Sequence, residues 1–291
     1  MYVYINGQYA KKEEVMISPF DHGFLYGLGV FETFRIYNGH PFLLDDHLER
    51  LNAGMKMLNI DAAFNRREVV NIINELLAKN GYSHAYIRFN VSAGNGEFGL
   101  QTESYSEPNV IMFSKPLSPP NGMTEKKAVI LEIKRNTPEG GERLKSHHYL
   151  NNVLAKREIG SAPDMEGIFL TQDGFLSEGI VSNVFWYNDG ILFTPAIETG
   201  ILNGITRRFV IALAREVGLT VREGFSKQEE AENAEEMFLT NSIQEIVPVT
   251  RFSGTDYPGR EGNIVKILYK YYEAHRETLW SRTQLGGIVN D

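Results

Sequence analysis

The hydrophobic positions follow two spacings along the chain, one typical of amphipathic helices and one typical of short strands. Apolar side chains recur at helical spacing at Leu44, Leu48, Leu51, Met55 and Leu58. Further helices are predicted at residues 66–79, 149–159, 206–217 and 264–280. Apolar and aromatic runs predict strands at residues 2–5, 31–37, 86–92, 109–113, 128–133, 167–171, 175–177, 183–187, 191–194 and 236–239.

Turn residues divide these elements into two groups. Residues 114–122 contain three prolines and a glycine, and such a segment predicts a linker because proline restricts the chain and removes backbone donors. We therefore expect an N-terminal domain at 1–115, a linker at 116–124 and a C-terminal domain at 125–291. Hairpin-linked strands with helices grouped between them favour α+β domains with mixed sheets over a regular βαβ alternation.

Composition narrows the possible chemistry. The 291 residues include no cysteine, which excludes disulfides, thiolate metal sites and cysteine nucleophiles. The net charge of -8 disfavours a general nucleic-acid or anionic-membrane surface. The start of the chain lacks a signal-peptide pattern, and no apolar run approaches the ~20 residues of a membrane span. We expect a soluble, cytoplasmic protein without a metal site, since no helical histidine pair at i,i+4 lies near His147 and His148.

Three segments carry candidate chemistry, and each has a structural alternative. The glycine-rich run from Asp21 to Thr33 lacks the third glycine of a dinucleotide loop, so alone it predicts a turn that leads into a strand. Lys145 lies between Leu144 and a neutral Ser-His-His-Tyr run. Burial lowers the pKa of a lysine, and a neutral amine is what Schiff-base chemistry needs. The alternative is a solvated lysine at a strand-to-helix junction; in a helix, Tyr149 would share its face.

The C-terminal half offers donors for an anion. Residues 200–208 read Gly-Ile-Leu-Asn-Gly-Ile-Thr-Arg-Arg, in which Thr206 is a candidate N-cap and Gly204 permits close approach of a ligand. The free N–H groups of a helix N-terminus bind anions, although an ordinary capped helix has the same pattern. Thr240-Asn-Ser242 either adds donors or is a polar strand end. Glu178 is either a solvated turn residue or a carboxylate directed at a cation.

In chain order, these segments resemble the class IV pyridoxal-phosphate enzymes, the group of D-amino-acid and branched-chain aminotransferases. The resemblance covers residues 1–255 and rests on Asp-x-Gly-x-x-Tyr-Gly-x-Gly-x-Phe-Glu at 21–32, His-Leu-Glu-Arg-Leu at 47–51, Lys-x-x-x-Tyr at 145–149, Ser-Glu-Gly-x-x-x-Asn-Val-Phe at 177–185, Gly-Ile-Leu-x-Gly-Ile-Thr-Arg at 200–207 and Thr-Asn-Ser…Glu-Ile-x-Pro at 240–248. It implies the two-domain α+β fold with mixed sheets of the D-amino-acid aminotransferase-like enzymes (fold type IV). It also implies pyridoxal 5'-phosphate as cofactor and a homodimer.

The resemblance also implies roles for single residues. Lys145 is expected to bind the cofactor covalently and to transfer the substrate proton, and Glu178 to contact the pyridine nitrogen. The residues expected at the phosphate are Arg50, Ile205, Thr206, Asn241 and Ser242. Leu202 is expected on the ring face, and Tyr149 at the phenolic oxygen, as in the branched-chain enzymes.

The substrate side rests on fewer residues. Tyr86-Ile-Arg88 matches a stretch of the branched-chain enzymes, so Arg88 is expected to face a substrate carboxylate. Thr33 either assists the leaving group or is simply a strand-favouring residue.

Residues 21–35 and 143–152 are most similar to the members of the family that act as carbon–oxygen lyases. That similarity implies release of 4-aminobenzoate and pyruvate from 4-amino-4-deoxychorismate, in folate biosynthesis. The alternative is a branched-chain or D-amino-acid aminotransferase. Ala93 and Asn95 fall near the positions of the arginine and histidine that D-amino-acid enzymes use, and this departure argues against that type. A non-catalytic protein with the same fold is disfavoured because Lys145 and Glu178 are both present.

Overall fold

The computed structural model describes residues 1–286 and divides the chain into two compact units. The first unit contains Met1–Pro119, Leu144–His148 and Arg276–Ser281. The second contains Pro120–Arg143, Tyr149–His275 and, within the described part of the chain, residues 282–286. Residues 287–291, the end of the predicted C-terminal domain, lie outside the described part. The chain passes between the units inside the segment 116–124 that the sequence predicts as a linker.

The first unit contains one antiparallel sheet of six strands in the order β2-β1-β6-β5-β3-β4. Its strands are β1 (Tyr2–Ile5), β2 (Gln8–Lys11), β3 (Gly29–Tyr37), β4 (His40–Pro41), β5 (Ala85–Ser92) and β6 (Asn109–Pro116). Its helices are α1 (His22–Tyr26), α2 (Leu44–Met57) and α3 (Arg66–Asn80).

Helix α2 buries the face that its hydrophobic spacing predicts. Leu44, Leu48, Leu51 and Met55 are buried together with Phe34 of β3 in one core cluster. Helix α3 begins as predicted, since the N-cap Asn65 accepts a hydrogen bond from the Glu68 amide at 3.0 Å. These contacts fix α2 against one face of β3 and leave the opposite face of that strand for other side chains.

Helix α1 replaces part of the turn predicted in the glycine-rich segment. The Asp21 side chain caps it by accepting from the Gly23 amide, and Gly27 ends it in the left-handed conformation at φ 70°. A helix of five residues is too short to show a helical period, which is why the pattern predicts only a turn there.

Two segments that the sequence assigns to the C-terminal domain pack instead with the first unit. Residues 144–148 lie along β3, where Phe31 N–H donates to Lys145 O at 2.9 Å and His147 N–H donates to Gly29 O at 3.0 Å. Residues 276–281 pack at the start of α2, where Leu43 N–H donates to Leu279 O at 3.0 Å. The sequence predicts two continuous domains, whereas the first unit also includes these two later segments. Backbone hydrogen bonds to β3 and to the start of α2 hold them there.

The second unit contains a mixed sheet of nine strands, in the order β12-β11-β10-β13-β14-β7-β8-β9 with β15 beside β14. Its strands are β7 (Lys126–Ile130), β8 (Met165–Leu170), β9 (Leu176–Gly179), β10 (Asn183–Asn188), β11 (Ile191–Pro195), β12 (Thr220–Gly224), β13 (Glu236–Asn241), β14 (Glu245–Phe252) and β15 (Thr255–Asp256). Its helices are α4 (Leu150–Ile159), α5 (Ile205–Glu216), α6 (Gln228–Glu232) and α7 (Asn263–His275), with 3-10 turns at Ile197–Thr199, Gly259–Glu261 and Arg282–Gln284. No helix within residues 1–286 is both long and apolar enough to cross a membrane.

Strand β14 is absent from the sequence prediction although it lies inside the sheet. Pro248 interrupts its apolar run, and proline argues against a central strand because it lacks an amide donor. The strand nevertheless pairs with β13 through Phe238 and Pro248, and with β7 through Val249 and Lys126. Its partners, rather than its own residues, determine its conformation.

Candidate active site

One face of the first sheet gathers three of the predicted site residues around an aromatic ring. The guanidinium carbon of Arg88 lies 3.8 Å from the Phe31 ring centroid, and Lys145 Nζ lies 4.6 Å from it. Thr33 pairs directly with Arg88 across β3 and β5, so their side chains share this face. The bridge between Val30 and Ser146 places Lys145 opposite Phe31. The Arg88 guanidinium and the Lys145 amine therefore both lie against the same aromatic ring.

His147 occupies the same face, opposite Gly29. Burial, together with the nearby charge of Arg88, lowers the pKa of His147 to about 4, so the ring is neutral at pH 7. A Cβ on Gly29 would overlap the His147 ring. Glycine at position 29 is thus required for this imidazole to lie against the sheet.

Glu32, His47 and Arg50 form a buried network on the opposite face of β3. His47 and Arg50 lie one turn apart on α2 and reach the same carboxylate. Arg50 donates from Nε to Glu32 Oε1 at 2.7 Å and from Nη2 to Oε2 at 2.8 Å. His47 Nδ1 lies 2.6 Å from Glu32 Oε2.

The electrostatics of this network favour an ionised Glu32 and a neutral His47. Burial alone would raise the pKa of Glu32, but Arg50 and His47 outweigh it and lower that pKa to about 2. Burial lowers the pKa of His47 despite the neighbouring carboxylate. Arg50, predicted at a phosphate, is therefore oriented by a two-point salt bridge. Glu32 and His47 received no role from the sequence, although both lie inside quoted motifs.

Glu178, at the end of β9, is a buried carboxylate with 4% of its surface exposed, which excludes the solvated-turn alternative. Its Oε1 accepts from Arg135 Nε at 2.9 Å, and Arg143 Nε lies 3.8 Å from the same oxygen. Its Oε2 accepts from the Leu202 amide at 3.0 Å. Asn183 Nδ2 donates to Leu202 O at 2.9 Å. The carboxylate and the backbone of Leu202 thus hold each other in place.

Two arginines that the sequence left without a role support Glu178. Arg135 also donates to Asn151 Oδ1 at 2.7 Å, and its guanidinium carbon lies 5.0 Å from the Phe169 ring centroid. Arg143 donates from Nε to Gly200 O at 2.6 Å. Burial and the charge of Arg135 lower the pKa of Arg143 to about 10. Arg143 belongs to the quoted segment 143–152, whereas Arg135 lies in a polar run with no motif signal.

The anion site predicted at α5 contains backbone and hydroxyl donors. The helix begins at Ile205 with Gly204 as N-cap, and no side chain caps it. Thr206 is the second helical residue rather than the predicted N-cap, because Gly204 already has the extended cap conformation. A Cβ at position 204 would overlap Asn183 Oδ1. The first N–H groups of α5 therefore lack an intrahelical partner and a capping side chain.

The turn between β13 and β14 adds hydroxyl groups to this helix end. Ser242 Oγ lies 3.2 Å from Thr206 Oγ1. Asn241 Oδ1 accepts from the Ile243 and Gln244 amides at 2.9 and 2.7 Å, so its carbonyl is occupied within the turn. Thr240 Oγ1 is buried and has no hydrogen-bond partner among the described residues. Hydroxyl and amide donors of this kind suit a phosphate dianion.

Tyr149 does not share a helical face with Lys145, because Lys145 lies before the helix, at the junction that the sequence offered as the alternative. Helix α4 begins at Leu150 with Tyr149 as its N-cap, and residues 144–148 are not helical. Tyr149 is 37% exposed. Among residues 1–286, no group of three His, Asp or Glu side chains is arranged to hold a metal ion.

Known proteins are similar to this chain in both sequence and fold. A family profile described as "Amino-transferase class IV" matches residues 29–252. The chain is 45% identical to the aminodeoxychorismate lyase of Bacillus subtilis (strain 168), over 93% of each chain. The structure superposes on the branched-chain amino acid aminotransferase of Escherichia coli with a TM-score of 0.84, 29% identity and 96% coverage of both chains.

A second solved structure carries a cofactor derivative. It is a branched-chain amino acid aminotransferase, from the source abbreviated T.th., complexed with N-(5'-phosphopyridoxyl)-L-glutamate. It matches with a TM-score of 0.83, 25% identity and coverage of 94% of this chain and 93% of that one. These likenesses confirm the predicted mixed α+β fold.

Proposed function

The chain belongs to the class IV aminotransferase family, and on that premise we propose that it is a pyridoxal-phosphate-dependent lyase. It converts 4-amino-4-deoxychorismate to 4-aminobenzoate and pyruvate, a step of folate biosynthesis. The observation that carries this proposal is the 45% identity to the Bacillus subtilis lyase over 93% of both chains. The alternative activity is that of a branched-chain or D-amino-acid aminotransferase.

Each of the three polar parts of pyridoxal 5'-phosphate has a chemically suitable group among the proposed site residues. An amine suits its aldehyde, a carboxylate suits its ring nitrogen, and amide and hydroxyl donors suit its phosphate. Lys145, Glu178 and the start of α5 supply these groups. When bound, the cofactor supplies an electron sink for negative charge at the carbon that carries the substrate amine.

Glu178 keeps the ring nitrogen protonated in this proposal. A carboxylate beside that nitrogen raises its pKa. Arg135 and the Leu202 amide fix the direction of the carboxylate, at 2.9 and 3.0 Å. Leu202, whose backbone is held by Glu178 and Asn183, packs its side chain on the ring face.

The phosphate end combines several weak donors with one cation. The amides of Ile205 and Thr206 and the hydroxyl of Ser242 donate to the phosphate oxygens, as expected at an uncapped helix N-terminus. Asn241 contributes by shaping the turn that presents Ser242: its Oδ1 accepts from the Ile243 and Gln244 amides, and its Nδ2 donates to Gln244 Oε1. The family motif at residues 47–51 adds Arg50 to the proposed phosphate ligands, and Glu32 holds the plane of its guanidinium.

Lys145 and its neighbours act on the substrate. Lys145 Nζ accepts the proton from the carbon that bears the substrate amine, after which the carbon–oxygen bond to the enolpyruvyl group breaks. The ring becomes aromatic as 4-aminobenzoate, and the departing enolpyruvate takes up a proton to become pyruvate. Arg88 binds a substrate carboxylate, Thr33 donates to the leaving oxygen, and Tyr149 contacts the phenolic oxygen of the cofactor.

We also propose a cytoplasmic homodimer. Exposed apolar side chains on the first unit support self-association, since soluble monomers rarely expose large apolar patches without a partner. The exposed Phe20 and Phe98 rings lie 5.3 Å apart. Four further exposed apolar side chains lie near them in the sequence: Met16, Ile17, Phe24 and Leu100. The absence of cysteine fits a reducing compartment.

A comparison of kcat/KM among three substrates tests the proposed reaction. Purified protein with added pyridoxal 5'-phosphate is assayed for kcat/KM on 4-amino-4-deoxychorismate, and separately on leucine and on D-alanine with 2-oxoglutarate. The lyase substrate is expected to give the highest kcat/KM, which is the quantity that measures discrimination. A higher kcat/KM for either amino acid would contradict the proposed lyase activity and support the aminotransferase alternative.

A further inference from the structure

Outside the residues assigned above, the second unit contains a buried ion pair that joins two adjacent strands. Lys126 on β7 is 9% exposed and Glu166 on β8 is 3% exposed. Lys126 Nζ donates to Glu166 Oε2 at 2.8 Å. Burial of two charges costs desolvation, so such a pair contributes little net stability compared with apolar residues of the same size. The further hydrogen bonds of Lys126 and Glu166 indicate instead that the pair positions neighbouring segments of the chain.

The lysine reaches the turn between β13 and β14. Lys126 Nζ also donates to Gln244 Oε1 at 3.2 Å, and Asn241 Nδ2 donates to the same oxygen at 3.1 Å. Asn241 in turn accepts from the amides of its own turn. A continuous chain of hydrogen bonds therefore runs from Lys126 to the turn that presents Ser242 beside Thr206.

The glutamate reaches the segment that follows Glu178. Glu166 Oε1 accepts from the Val181 amide at 3.4 Å. A Cβ on Gly179 would overlap Ser182 Oγ and would lie 3.0 Å from the same Glu166 oxygen, so the carboxylate lies close to the backbone of this segment. The two charged side chains thus contact both the segment that carries Glu178 and the turn that carries Ser242.

We propose that Lys126 and Glu166 are positioning residues that set the separation between the Glu178 carboxylate and the Ser242 turn. This inference rests on the proposed cofactor, whose ring nitrogen and phosphate would lie at those two places. Gln244 is the link through which the pair acts on the phosphate end. The pair touches neither the cofactor nor the substrate in this proposal, and its effect is on affinity for the phosphate-bearing ligand.

Binding of two ligands that differ only in the phosphate distinguishes a positioning role from a general effect on folding. Dissociation constants of cofactor-free protein are measured for pyridoxal 5'-phosphate and for pyridoxal, which lacks the phosphate. Gln244→Met removes the link at nearly constant volume and leaves the buried ion pair intact. Lys126→Met with Glu166→Leu removes the pair without leaving an unpaired buried charge. Lys127→Met, at the exposed neighbouring position, is the matched control.

Gln244→Met is expected to weaken pyridoxal 5'-phosphate binding about tenfold, the equivalent of one hydrogen bond, and to change pyridoxal binding less than about twofold. The double variant is expected to lose at least as much affinity for the phosphate-bearing ligand, and Lys127→Met none. Wild-type affinity in both Gln244→Met and the double variant would overturn the inference, as would equal loss of both ligands. A wild-type protein that binds neither ligand would overturn the proposed function together with it.

Discussion

Replacement of Glu32 by Gln should cost the first unit much of its stability at neutral pH and little in acid. Glu32 is fully buried between Arg50 and His47, which lower its pKa from 4.5 to about 2. That difference corresponds to about 3 kcal/mol of folding free energy, at ~1.4 kcal/mol for each pKa unit. Because the folded-state pKa is lowered, this stabilisation is present above about pH 4.5 and is lost as the pH falls toward 2.

The chain provides its own reporter for this measurement. It contains two tryptophans, of which Trp280 belongs to the first unit and Trp186 to the second. In a Trp186→Phe background, urea unfolding followed by Trp280 fluorescence reports the first unit. The matched control is Glu75→Gln, which removes an exposed pair with Lys79 at 3.5 Å and should cost at most about 0.5 kcal/mol.

The expected result is a difference of about 3 kcal/mol between wild type and Glu32→Gln at pH 7, which shrinks steadily below pH 4.5. The control should run parallel to the wild type over the whole range. A Glu32→Gln protein within about 1 kcal/mol of the wild type at pH 7, or a difference that persists unchanged at pH 2.5, would refute the electrostatic account of this network.

Two further substitutions test the assigned roles. Lys145→Ala should abolish the borohydride-stable attachment of pyridoxal 5'-phosphate, which peptide mapping of the wild type should locate at Lys145; attachment at another lysine would contradict the assignment. Glu178→Gln should retain the cofactor but lower kcat by orders of magnitude, because loss of the charge lowers the pKa of the ring nitrogen; unchanged kcat would leave Glu178 with a structural role only.

The sequence predicted helices whose own residues carry a clear signal, either a periodic apolar stripe or a capping residue. Helix α2 buries the apolar stripe that its spacing shows, and α3 begins at Arg66, directly after the capping residue Asn65. The strands that the pattern missed depend on partners. Thr220–Gly224 has mostly exposed residues, and β14 contains a proline, so each takes its conformation from neighbouring strands.

Motifs in the sequence led to the proposed roles of Lys145 and Glu178, but the sequence did not reveal the ion pairs that surround Glu178. Arg135 was missed because its Glu178 partner is 43 residues away and nothing local marks the pair. Lys145 and Tyr149 do not share a helical face because residues 144–148 pair with β3 instead of continuing α4. Sequence spacing gives neighbours only when the type of local structure is already known.

Product stoichiometry tests the proposed lyase reaction most directly. Protein loaded with pyridoxal 5'-phosphate is incubated with 4-amino-4-deoxychorismate and no keto acid, and 4-aminobenzoate and pyruvate are quantified over many turnovers. The account predicts equal amounts of both products, formed continuously, with the cofactor recovered as the aldehyde. Turnover that stops after one equivalent and resumes only when 2-oxoglutarate is added, with the cofactor recovered as the amine, would contradict it.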